Sequence, residues 1–425
     1  MDTKELELLA PAGDFEKLRI AVAYGANALY LSGTSFGLRA KAKNFDSNEL
    51  SEAIAYAHQY GVKVYVTTNI FAHNEDIEKM TGHFESLASM GADAFIISDP
   101  GVLMQARKEV PDVEIHISTQ ANTTNYASAM FWHEMGASRI ILARELSLDE
   151  IAEIRAKCPK ELKLEAFVHG AMCMSYSGRC LLSRYMSTGD GVRDANLGAC
   201  THPCRYSYRL WAEEVSRPGH FMPIEENERG TDIFGAEDLC MVDNIPALVA
   251  AGIESFKIEG RMKTAFYVGL TTRTYRQALD SFLNDEDEYN KSIPDYLDKL
   301  KMASHRPFSS GFYFGKDSLN NRKFIEASYS RTHDFVGVVK SYDPKTKSAL
   351  IEQRNVFEVG DILTFIEPSH TIQPDFSQQI TKMQDENGIN IERAPHAKQK
   401  IVIPVDKPVE HMAMICRETE KEVQL

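Results

Sequence analysis

The chain has no run of about 18 apolar residues, so no membrane-spanning helix is expected. Its first residues, "MDTKELELLAPAG", lack both the basic start and the apolar core of a secretory signal, and a cytoplasmic location is the expectation. A surplus of positive charge is missing too: 47 Lys and Arg stand against 61 Asp and Glu, a net charge of −14 over 425 residues. That argues against coating nucleic acid through bulk electrostatics, while leaving room for a local basic face. The HExxH pattern of zinc peptidases is absent; "HEMGA" at His133 lacks the second histidine that would share its helical face. Cysteine is scarce, seven in all. In a reducing compartment such thiols bind metal or do redox chemistry more readily than they form disulfides.

Four of those cysteines are gathered together. Six residues separate Cys173 from Cys180 in "GAMCMSYSGRC", and three separate Cys200 from Cys204 in "CTHPC". Structural zinc sites favour two short knuckles, and only the second pair resembles one. Iron–sulfur clusters take four thiolates from looser spacings. The pattern favours a four-thiolate site and leaves cluster and zinc both open. The segment is also basic: residues 171–210 carry Arg179, Arg184, Arg193, Arg205 and Arg209 against Asp190 and Asp194. Cys158 and Cys240, in helical patterns, and Cys416, in a strand pattern, read as packing residues.

Before residue 260 one arrangement recurs: a helical pattern, a glycine, then a short apolar strand. Glycine accepts the left-handed backbone that ends a helix and turns it into a strand. Asp14, Ser47 and Ser147 mark helix starts. Eight strands are expected, at 5–10, 28–32, 63–68, 94–98, 114–119, 139–143, 163–169 and 255–259. Eight such units imply a (β/α)8 TIM-like barrel, with an open doubly wound sheet as the alternative. Residues 170–236, which hold the four cysteines, form an insertion between strands 7 and 8. Trailing helices complete a barrel domain at 1–303, 304–331 is a linker loop, and 332–425 is a small all-β domain with a hairpin turning at Asp343–Pro344.

Chemistry in such barrels gathers at the C-terminal strand ends. Arg39, Asn69, Gln120, Asn122, Arg144 and Arg261 fall there and are candidate substrate-binding residues. Three arginines on one rim suit a small anionic, carboxylate-bearing molecule. By alternation Glu165 and His169 share one face of strand 7, and Lys257 and Glu259 one face of strand 8, which makes them acid–base candidates. The Glu/Lys pair reads equally well as a satisfied ion pair of the core.

"EAFVHGAMCMSYSGRCLLS", "KIEGR" and "LLAPAG" resemble the signature of the collagenase-like peptidase family U32, from Leu8 to about Asp280. Within it, "SDPGVLM", "ARELSLDEI" and "CTHPCRYSY" most resemble the branch that hydroxylates tRNA. The resemblance implies an iron–sulfur protein, with a 4Fe-4S cluster on Cys173, Cys180, Cys200 and Cys204, that forms 5-hydroxyuridine at the tRNA wobble position. It further implies prephenate as cosubstrate, a ferredoxin partner and the tRNA anticodon loop as the macromolecular ligand, with no membrane. Peptidase activity, zinc in place of the cluster, and hydroxylation of ribosomal RNA cytidine are the alternatives.

Overall fold

The computed structural model describes residues 6–37, 44–172, 237–315, 330–369 and 374–424, with the backbone of four short strands between 212 and 232. Eight parallel strands close on themselves: β1 (Glu7–Pro11), β2 (Ala28–Leu31), β3 (Lys63–Thr68), β4 (Ala94–Ile97), β5 (Glu114–Ile117), β6 (Arg139–Ile141), β7 (Lys163–Ala171) and a last strand, Ser255–Ile258. The last strand pairs with β7 on one side and with β1 on the other, Leu8 standing opposite Phe256. That closure makes the sheet a barrel and excludes the open alternative. The strands are short and buried on both faces, as the unbroken apolar runs required.

Helices α1 (Phe15–Ala23), α2 (Ser47–Gln59), α3 (Asn74–Lys79), α4 (His83–Ser89), α5 (Pro100–Glu109), α6 (Tyr126–Glu134) and α7 (Leu148–Lys157) link the strands. Their starts follow the caps. Ser147 and Glu150 form a capping box on α7, whereas α2 is capped one residue earlier than expected, by Asp46 with Glu49.

Between β7 and the last barrel strand lie β8 (Ala212–Glu213), β9 (Phe221–Met222), β10 (Glu225–Asn227) and β11 (Gly230–Asp232), then β12 (Asp238–Cys240). With β12 so placed, the last barrel strand is β13. Residues around Cys240, expected to be helical, are instead β12, which pairs antiparallel with the end of β7. A further short strand, β14 (Phe308–Ser309), lies parallel to β12.

The chain divides into two compact units: residues 1–18, 27–262 and 306–328, and residues 19–26, 263–305 and 329–425. This differs from the boundary at 303 and the linker at 304–331. Helices Ala265–Asn284 and Glu286–Met302 cluster with the C-terminal sheet, on which Phe266 stacks against Phe335 with ring centroids 5.2 Å apart. The segment after 306 instead belongs to the barrel unit, where β14 pairs and the buried Tyr313 hydroxyl donates to the Phe167 carbonyl at 2.6 Å. The second unit carries an antiparallel sheet of eight strands that includes β15 (Ser330–Asp343), β16 (Ser348–Gln353) and the strand Met414–Gln424. Its hairpin turns where expected, with Asp343 opposite Ser348. Cys416 is buried there against the apolar core, as its strand pattern implied.

Candidate functional site

Two polar layers occupy the barrel interior. The lower one is built on the first residues of the strands. Arg139 opens β6 and is 3 % exposed, and its guanidinium reaches both Glu7 and Glu165. Glu165 Oε1 accepts from Lys257 Nζ at 2.8 Å, and Oε2 accepts from Arg139 at 3.0 Å and Ser255 Oγ at 3.2 Å. Tyr65 donates to Glu7 at 2.7 Å. Burial alone would raise both carboxyls; Arg139 overrides it at Glu7 and holds it at about 2. Lys257 and Arg139 likewise keep Glu165 below the usual carboxylate range. His116, fully buried beside this layer, is pushed down to about 4 by burial and by Arg139.

Lys257 joins the two layers. Its ammonium, while bonded to Glu165, lies 4.5 Å from the Tyr30 ring centroid and 5.5 Å from that of Phe167, a cation held over aromatic faces. Above it a cavity of about 80 Å³ opens at the C-terminal strand ends. Arg144, Lys257, Glu259 and Arg261 line it from β13 and the loops that follow β6 and β13, and Asn69 and Gln120 line it from the turns after β3 and β5. Arg144 lies 4.5 Å above the Phe167 ring and donates to the Ala171 carbonyl at 2.9 Å. Arg261, 4 % exposed, donates to Asn44 Oδ1 at 2.6 Å and Thr67 Oγ1 at 3.4 Å. Gly13 makes room for it: a Cβ there would stand 2.1 Å from the Arg261 carbonyl oxygen. Asn69 donates to Ser118 at 3.2 Å.

The structure thus brings together six of the expected site residues: Asn69, Gln120, Arg144, Lys257, Glu259 and Arg261. Glu165 lies beneath them as an ion-paired support. His169 does not join the cavity lining. The pairing of β7 with β13 shifts register between Lys257 and Ile258, so the alternation that put His169 on the Glu165 face is broken. Its ring lies 5.5 Å from Phe308 instead. Asn122 takes a left-handed backbone after the turn Thr119–Ala121 and also stays outside the lining. Arg39 and the four cysteines Cys173, Cys180, Cys200 and Cys204 lie outside the described residues. Sequence reasoning missed Tyr30 and Arg139, whose signal was an aromatic or charged residue interrupting an otherwise aliphatic strand.

The pentapeptide Gly33–Gly37, "GTSFG", fits the pattern of a serine nucleophile elbow. Ser35 is exposed, and among the described residues no histidine hydrogen-bonds to it.

Sequence comparison decides the family. Residues 13–323 match peptidase family U32, and residues 331–416 match the peptidase family U32 C-terminal domain. The chain belongs to peptidase family U32. This U32 chain is 37% identical to the tRNA hydroxylation protein P1 of Bacillus subtilis, over 96% of its own length and 93% of that protein. It is 34% identical to the tRNA hydroxylation protein P of Escherichia coli, over 95% and 94% of the two chains. A 23S rRNA 5-hydroxycytidine synthase of Escherichia coli is 36% identical over 68% of this chain and 41% of that one.

Proposed function

We propose that this U32 chain is an RNA-modifying hydroxylase that forms 5-hydroxyuridine at the wobble position of tRNA. The observation that carries the reading is the convergence of Arg144, Lys257 and Arg261 on one polar cavity at the C-terminal strand ends. Relatives of near-equal length are named for tRNA hydroxylation, and one more distant in length for hydroxylation of an rRNA cytidine. Both names describe hydroxylation of RNA, the second at a cytidine.

In this reading the three cations bind a small dicarboxylate cosubstrate, prephenate in the family's pattern. Arg144 and Arg261 are oriented by the Phe167 face and by Asn44 and Thr67, and so meet carboxylates without first reorganising. Lys257, fixed by Glu165, adds a point charge on the cavity floor. Glu259 lines the same cavity and is the group placed to take or return a proton there. Cys173, Cys180, Cys200 and Cys204 are the donor set for an iron–sulfur cluster, four soft thiolates in a stretch that begins two residues after β7. Such a cluster, when bound, would supply electron transfer or activate a ligand, with a ferredoxin as its redox partner. The tRNA anticodon loop offers unstacked bases that a barrel-mouth site can receive.

Mass spectrometry of total RNA nucleosides from a deletion strain tests the reading. It expects 5-oxygenated uridine to disappear from tRNA and return with the wild-type gene. Unchanged tRNA with altered rRNA cytidine would move the substrate to the ribosome. Unchanged nucleosides with accumulating peptides would favour a peptidase. Anaerobically purified protein should carry iron and sulfide; zinc in their place would remove the cluster from the proposal.

A further inference from the structure

The second unit contains a cavity of about 360 Å³ that the barrel chemistry does not use. That size lies within the range of small-molecule sites. Helix Ala265–Asn284 supplies Leu270, Arg273 and Gln277, helix Glu286–Met302 supplies Lys299 and Met302, and the sheet supplies His333, Thr364 and Ile366. Leu270, Met302 and Ile366 give the wall an aliphatic stretch, set among polar residues that include Asp295, Asp298 and Asp375. Its notable polar group is Arg273, a guanidinium in a helix interior and only 7 % exposed. Nη1 donates to Asp375 Oδ2 at 2.6 Å. Among the described residues the Arg273 Nε is buried with no hydrogen-bond acceptor, a costly state for one of the five donors a guanidinium carries. The other oxygen of Asp375 accepts from the Glu367 backbone amide at 2.9 Å. Lys299 brings a second, partly buried cation to the same wall, held 2.7 Å from Asp295. Burial pushes the His333 imidazole below its ordinary value.

From this geometry we infer that the second unit holds a binding site for a small carboxylate with an aliphatic body. The carboxylate takes the Nε edge of Arg273, with Lys299 nearby, and the chain lies on Leu270, Met302 and Ile366. Asp295 and Asp298 stand at the solvent side, more than half exposed, where water screens them. The inference is independent of the activity at the barrel mouth, since every residue it uses belongs to the second unit.

Octanoate is the probe, titrated into the full chain by calorimetry, with octylamine and octanol as controls for charge and apolarity. Saturable one-to-one binding of octanoate is expected, about tenfold or more tighter than either control, the margin of a charge-assisted hydrogen bond. Arg273→Gln should weaken it by about tenfold or more. Because that variant also breaks a buried ion pair, Met302→Trp serves as the second: it fills the cavity from its rim, keeps the Arg273–Asp375 pair, and should abolish binding with the thermal midpoint preserved. Octanoate that fails to saturate, binds no better than octylamine or octanol, or still binds Met302→Trp overturns the site.

Discussion

Glu165 has both oxygens committed, to Lys257 on one side and to Arg139 and Ser255 on the other. It therefore supports the site instead of acting on a substrate, and its removal should be felt in stability. Glu165→Gln leaves two buried cations short of a counter-charge and is expected to cost about 3–5 kcal/mol, read from the urea midpoint. Arg144→Gln should behave in the opposite way, shifting the midpoint by about 1 kcal/mol or less while tRNA hydroxylation in cells collapses. Equal losses of stability in the two variants would contradict the separation into a support layer and a binding layer. The same layer sets the acid limit. Glu7 falls from the 4.5 of a free glutamate to about 2 in the fold, so its contribution is present above 4.5 and is lost as pH drops towards 2. His116 falls from 6.5 to about 4, so the unfolded chain binds a proton first and stability declines as pH falls through that interval. Urea midpoints should thus decrease from pH 7 to 4 and again below 4. His116→Phe should flatten the upper portion and Glu7→Gln the lower.

At the scale of elements, β7 carries the decisive irregularity. Its register shift against β13 turns His169 towards Phe308 and leaves Phe167 beneath Arg144 and Lys257. Gly170 is then forced: its φ is +111°, and a Cβ would lie 2.5 Å from the Glu259 carbonyl oxygen. Gly170→Ala is expected to cost about 1–3 kcal/mol and to displace Glu259 from the cavity, with a lowered urea midpoint and lost hydroxylation as the readouts. A variant as stable and active as the parent would show that this approach does not matter. The barrel strands were legible because doubly buried parallel strands spell themselves as aliphatic runs after helix-ending glycines such as Gly91 and Gly252, both at positive φ. The bulge in β7 was not legible, since two-residue alternation carries no mark of an inserted residue. Cys240 was misread for a related reason: three residues of strand, "DLC", are too few to show any period. Arg144 and Arg261 were recognised from their positions after strand ends, and Arg139 was overlooked because it begins one.

At the scale of the whole molecule, the two units are interleaved along the chain. Residues 19–26 belong with the C-terminal sheet, and residues 306–328 with the barrel. The sequence suggested a cut at 303 because helical periodicity gives way there to alternation, and periodicity reports local structure, not the partner a helix buries itself against. A chain ending at residue 303 would deprive helix Ala265–Asn284, almost wholly buried along residues 265–275, of its sheet. It would also remove the Tyr313 bond to the Phe167 carbonyl. Such a chain is expected to partition into the insoluble fraction, or to unfold well below the full chain in a thermal melt. A truncated protein that is soluble and as stable as the parent would show that the units separate at 303.

Tyr24 makes the consequence concrete. Its hydroxyl meets the carbonyls of Ile366 at 2.8 Å and Met412 at 3.1 Å and accepts from the Met414 amide at 2.9 Å. On the ribosome, at roughly 5–20 residues per second, the partners of this early tyrosine emerge roughly 20–80 s after it does. The C-terminal part of α1 must wait that long for its burial, and during the interval Ile20, Ala21 and Tyr24 are nascent-chain surface on which a holding chaperone has time to act.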